Sequence, residues 1–203
     1  MRALLAFAAL IDGFSRRLAY VASWAVLAVA LLVSADALVS YALVWLDGFA
    51  VFLAARGIQV GFLLDWYRTN ANSVTDATLM LFTVIVMLGA PWTLKVNEHV
   101  RVDLLYSMMS PRGKARLDIF GGLVFLLPMC LIMIGFTLPW ALASWSSGEV
   151  GASAGGLPRW PGKMLLPIGF ALLTLQAVAE LIKCVAALTT DYTREHGYEK
   201  PLQ

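Results

Sequence analysis

The stretch NEHVRVDLLYSMMSPRGKARLD, residues 97–118, decides how this chain is read. It is a compact block of mixed charge set between two long runs that are almost free of charge. The whole chain explains the contrast. Of its 203 residues, 60% are hydrophobic and 14% charged, with a mean hydropathy of +0.77. Soluble domains carry about 45–50% apolar and roughly 25% charged residues. Both departures point to a membrane protein, which makes the block a water-exposed loop between two spans.

Working outward, four segments reach the roughly 20 apolar residues that a helix needs to cross a hydrocarbon core of about 30 Å. They run over about 18–46, 76–94, 117–144 and 163–188. The charges they carry are Asp36 in the first, Asp76 at the start of the second, Asp118 near the start of the third, and Glu180 and Lys183 near the end of the fourth, beside Lys163 at its start. Helices are expected, because lipid offers backbone amides no partners and open sheet edges do not survive there. The fold class is therefore all-α, as one integral membrane domain over residues 1–203.

Two further segments are ambiguous. In MRALLAFAALIDGFSRR, the residues Leu4, Ala8, Ile11 and Phe14 recur at helical spacing and leave Arg2, Asp12 and Arg16 for a polar side. This predicts an amphipathic helix lying in the membrane plane rather than a cleaved signal. GFAVFLAARGIQVGFLLDW, residues 48–66, is apolar but has Arg56 at its centre. An arginine at mid-bilayer costs about 2.5–3.5 kcal/mol even on the mildest scale, so an interfacial or protein-covered helix is expected over about 49–66, with a fifth span or a re-entrant hairpin as the alternative.

Four spans place both termini on one side, and basic residues beside the spans choose which. With the termini inside, the inner segments hold Arg2, Arg16, Arg17, Lys95, Arg101, Arg112, Lys114, Arg116, Lys183, Arg194 and Lys200, and the outer ones hold Arg56, Arg68, Arg159 and Lys163. That distribution of 11 against 4 predicts cytoplasmic termini and makes 97–118 the one sizeable cytoplasmic loop. Within it, Ser110 before Pro111 reads as a helix N-cap with proline at the first helical position.

Several function classes lack their chemistry. A haem-binding helical subunit needs histidines inside its spans, whereas His99 and His196 both fall in expected cytoplasmic segments. Cys130 and Cys184 sit in apolar runs with no metal or redox spacing. No HExxH, GxSxG, P-loop or CxxC pattern occurs, so an enzyme is not expected. No basic run of the kind that binds nucleic acid appears, and the net charge is only +2. The outer loop SWSSGEVGASAGGLPRWPGKMLLPIG is different. Its glycines and prolines set a compact turn, Trp145 and Trp160 suit the headgroup level, and Glu149, Arg159 and Lys163 offer both signs of charge for docking a partner.

Two stretches, LGAPWTLKVNEHVRVDLLYSMMSPRGKARLD and SWSSGEVGASAGGLPRWPGKMLLPIGFALLTLQAVAELIK, together resemble the small membrane subunit of tripartite ATP-independent periplasmic (TRAP) transporters, the DctQ-type small permease. The matching pieces are HVRVD at His99 to Asp103, SW…GE after the third span, and GLPxWPxK…PIGFxLL leading into the fourth. The resemblance covers about residues 76–185. It departs over 47–75, where the family has a short loop carrying an arginine and a glutamate; Asp76 stands where that glutamate is expected.

The resemblance implies a non-catalytic scaffold in the bacterial inner membrane, bound to a large permease subunit. That subunit would carry the substrate and the coupling sodium, so no cofactor is expected in this chain. A soluble periplasmic binding protein would deliver organic acids, a class that takes in 2-oxo acids and related carboxylates. On this reading His99, Arg101 and Asp103 hold the cytoplasmic hairpin or contact the large subunit. Glu149, Arg159, Trp160 and Lys163 contact the binding protein or the large subunit, and membrane lipid covers the rest. Two alternatives stay open: a scaffold subunit of another membrane complex, such as a respiratory one, and a self-sufficient small carrier.

Overall fold

The computed structural model describes residues 1–56, 61–96, 109–151 and 155–190. The described residues form helices and one isolated β-bridge. We label the helices α1 (Arg2–Ala54), α2 (Gly61–Val96), α3 (Pro111–Gly121), α4 (Leu127–Ser147) and α5 (Trp160–Thr189), with a π-helical turn, Gly122–Leu126, joining α3 to α4. Four stretches within them are long and apolar enough to cross a membrane: Arg2–Leu43, Asp65–Val96, Arg112–Ser147 and Trp160–Thr189.

Helix α5 is the hub. It packs against α1, α2 and the α3–α4 rod, and α1 pairs in addition with α2. Its buried positions include Gly169, Phe170, Gln176, Ala177, Ala179, Lys183, Cys184 and Ala186. Small residues let neighbours approach closely, which is how helices associate where lipid removes the hydrophobic drive. A Cβ on Gly169 would lie 2.5 Å from the Met87 Cβ, so α2 and α5 touch backbone to side chain there. Cys130 and Cys184 are buried in these contacts and form no disulfide, small side chains that suit close packing.

The outward surface is apolar. Phe136, Leu10, Trp24 and Leu31 are all exposed, as a chain solvated by lipid tails requires. Ser110 caps α3: its Oγ accepts the Gly113 N–H at 3.2 Å, with Pro111 at the start of the helix as the sequence predicts. Pro128 lacks an N–H for the ladder, and the π turn sits immediately before it. The wider turn absorbs the missing hydrogen bond and lets one continuous rod cross.

The N-terminal half departs from expectation. No separate in-plane helix precedes the first span. Residues 2–17 are the opening turns of α1, which continues unbroken to Ala54. Nor is there a separate helix over 49–66. Helix α1 takes the first part and turns at Ala55 and Arg56, and α2 begins at Gly61. The Arg56 guanidinium lies 4.2 Å from the centre of the Phe52 ring. The arginine therefore marks a helix end, where its charge can leave the apolar phase, not the middle of a helix. At 1.5 Å per residue, α1 is about 80 Å long, over twice the thickness of a hydrocarbon core.

Candidate functional site

Charged side chains gather at the two ends of the bundle. The middle of each span is free of them: residues 18–35, 77–94, 127–147 and 164–179 contain no Asp, Glu, Lys, Arg or His.

At the end where α1 starts and α5 finishes, Asp12 enters the bundle. Lys183 Nζ donates to Asp12 Oδ1 at 2.9 Å and to Glu180 Oε1 at 2.6 Å. Gln176 Nε2 donates to Asp12 Oδ1 at 2.9 Å and to Glu180 Oε1 at 3.2 Å. The Ser15 hydroxyl closes the set by donating to Gln176 Oε1 at 2.7 Å. Lys95, from the end of α2, stands 3.9 Å from Asp12 Oδ2. Two carboxylates thus meet two ammonium groups, and three helices are tied at one level. Asp12 is not on the polar side of a surface helix, as its local pattern suggests. Its hydrogen-bond partners lie more than 160 residues along the chain, and Lys95 lies 83 along it. The i, i+3 pair of Glu180 and Lys183 that the sequence offers does form. Spacing alone held a further signal: Gln176, Glu180 and Lys183 follow at i, i+4 and i+7 and share one face of α5.

At the other end, the sequence-predicted loop residues come together. Helix α4 ends in a Schellman motif. Gly148 adopts φ 61°, its N–H donates to Trp145 O at 3.2 Å, and the Glu149 N–H donates to Ser144 O at 3.3 Å. A side chain at Gly148 would be strained in this left-handed conformation. The chain then forms a two-rung ladder: Arg159 N–H donates to Glu149 O at 2.9 Å, and Gly151 N–H to Leu157 O at 3.0 Å. Helix α2 clamps this ladder. Asp76 Oδ2 accepts the Leu157 N–H at 3.0 Å, and Ser73 Oγ donates to Gly155 O. Gly151 must be glycine, because a Cβ there would fall 2.6 Å from Asp76 Oδ2.

On this base, Glu149 accepts from Lys163 Nζ and from Ser144 Oγ at 2.9 Å, and Arg159 Nη1 lies 3.6 Å from its other oxygen. The Lys163 hydrogen bond, helped by Ser144, holds the Glu149 carboxyl below the usual carboxylate range. Lys163 also rests 4.3 Å from the centre of the Trp140 ring, and the Trp145 and Trp160 rings pack with centroids 4.7 Å apart. Arg159 remains half exposed. Glu149, Arg159, Trp160 and Lys163 are therefore one cluster. His99, Arg101 and Asp103 lie outside the described residues. The role of Asp76 as the loop's anchor, and of Ser144 beneath Glu149, was not apparent from the sequence.

A third contact joins α1 to α2 beyond this loop: the Tyr67 hydroxyl donates to Asp36 Oδ1 at 2.6 Å and lies 3.1 Å from Ser40 Oγ. Among the described residues, no group of three His, Cys, Asp or Glu side chains could hold a metal ion.

Comparison with curated proteins and with solved structures returned no match. The family model of the tripartite ATP-independent periplasmic transporters, DctQ component, matches residues 67–187. That is more than half of the chain, and it takes in the clamped loop, α5 and the α3–α4 rod. The chain is a multi-pass membrane protein that belongs to the DctQ component family of tripartite ATP-independent periplasmic transporters.

Proposed function

We propose that this chain is the small permease subunit of a sodium-coupled importer of organic acids in a bacterial inner membrane, acting as a scaffold rather than a conduit. The observation that carries the reading is the distribution of charge. Solute and ion pathways need polar or ionisable groups near the midplane, and here the middles of all four spans carry no Asp, Glu, Lys, Arg or His. A family that normally works with a large permease and a substrate-binding protein supplies the pathway elsewhere. The coupling sodium and the carboxylate substrate belong to that larger partner.

On this reading the termini face the cytoplasm and the clamped loop faces the periplasm, in line with the excess of basic residues on the inner side. The loop cluster of Glu149, Arg159, Trp160 and Lys163 is a docking face for the binding protein. Its ladder fixes the backbone, so the charges are presented with little ordering left to do on contact. His99, Arg101 and Asp103 serve the cytoplasmic hairpin or its contact with the large subunit.

Purification of the tagged chain in mild detergent from cells expressing the whole transporter tests this. A large many-helix permease should co-purify in equal amount. Recovery of the chain alone, or with haem-bearing or iron–sulfur partners, would overturn the reading.

A further inference from the structure

Helices α2 and α4 both pack toward α5 near the clamped loop but leave a groove between them. Its floor is one face of α5, with Arg159, Gly162, Lys163 and Leu166. One wall is a face of α2, with Asp76, Leu79, Met80 and Thr83, and Trp140 of α4 stands opposite. The cavity holds about 370 Å³. We propose that this groove is a phospholipid site, with the phosphodiester headgroup on Arg159 and one acyl chain lying between α2 and Trp140.

Three observations support that occupant. Polarity runs in one direction along the groove. Arg159, Lys163 and Asp76 sit at the loop end, and seven residues further along each helix, at Thr83 and Leu166, the lining is nearly apolar. Seven helical residues span about 10 Å, two thirds of a ~15 Å leaflet. The position is also that of a headgroup. Trp145 and Trp160 pack together at the loop end, as aromatic residues do at a membrane interface.

Arg159 is the group available to a phosphate. It is half exposed and holds Glu149 only at 3.6 Å, while Lys163 is engaged by Glu149 and Trp140. Two acids, Asp76 and Glu149, balance Arg159 and Lys163, so a zwitterionic lipid is the suitable probe.

The site does not depend on the transport role and is tested on the full chain alone. The purified protein is stripped of lipid, given dioleoyl phosphatidylethanolamine, and the bound lipid is counted by native mass spectrometry. Diolein, which lacks the phosphate, serves as the control. The wild type should retain one phospholipid, at least about tenfold more tightly than diolein, as a charged hydrogen bond implies. Leu79→Trp, which fills the groove from an exposed position, and Arg159→Gln, which removes the phosphate contact, should each lower retention by about tenfold.

Equal retention of diolein, or unchanged retention in both variants, would overturn the proposal. A benzoylphenylalanine at position 79, irradiated in the assembled transporter, should label lipid. Labelling of polypeptide alone would assign the groove to a protein partner instead.

Discussion

The two charged clusters of this protein use the same chemistry to different ends. At one end Asp12, Lys95, Glu180 and Lys183 are nearly removed from solvent and are completed by Gln176 and Ser15. At the other, Glu149, Arg159 and Lys163 rest on a backbone ladder, and Arg159 and Glu149 remain partly open. A buried ion pair gains little over an apolar replacement, but losing one partner strands the rest. The first cluster therefore fixes which helices meet and at what level. An exposed pair holds its partners loosely and can exchange them. The second cluster is therefore the one suited to meeting another protein.

The largest expected effect is at the buried end. Lys183→Met leaves Asp12 and Glu180 without their shared cation, and should cost about 3–5 kcal/mol, lowering the thermal unfolding midpoint in detergent by roughly 10 °C. Replacing Asp12, Glu180 and Lys183 together with apolar residues should recover most of that loss. An unchanged midpoint for the single variant would erase the contrast between the ends.

Next comes the ladder. Gly151→Ala drives a Cβ to 2.6 Å from Asp76 Oδ2 and 2.9 Å from Gly156 Cα. Overpacking of this kind costs about 1–3 kcal/mol and should appear as faster proteolysis of the 148–159 loop with the helices intact. Arg159→Glu, at the half-exposed position of the cluster, should leave the unfolding midpoint and the yield of the membrane complex unchanged. It should raise the binding-protein concentration needed for half-maximal uptake by roughly tenfold, through like-charge contact at the docking face.

The smallest effect is in pH. The Glu149 carboxyl is held below its ordinary value of 4.5, chiefly by Lys163. Its contribution to loop order is therefore complete above that value and is lost as the pH falls through the lowered one. Loop proteolysis in the wild type should accelerate only below that point, and Glu149→Gln should remove the pH dependence.

The same contrast explains what the sequence could reveal. The third and fourth spans, expected over 117–144 and 163–188, correspond to Arg112–Ser147 and Trp160–Thr189, because their ends carry local punctuation: Ser110 with Pro111, Gly148, and the Pro161 turn. The loop cluster was legible for the same reason, since its residues lie within 15 positions of one another. The first span was not. Asp12 looks like a surface residue until Lys183 and Gln176, far along the chain, are placed beside it. Apolar residues flank Arg56 equally, a pattern that puts it at the centre of a helix, whereas α1 ends just before it. Nothing beside Asp76 in the sequence signals its role, because its hydrogen bond to Leu157 depends on a loop 81 residues away.

The central claim is that the solute never passes through these helices. The direct test is uptake of a radiolabelled carboxylate into liposomes under an inward sodium gradient with binding protein present, comparing the chain alone with the chain plus its large subunit. The account predicts no uptake above empty liposomes for the chain alone, and uptake once the large subunit is added. Sodium-driven uptake by the isolated chain would contradict it.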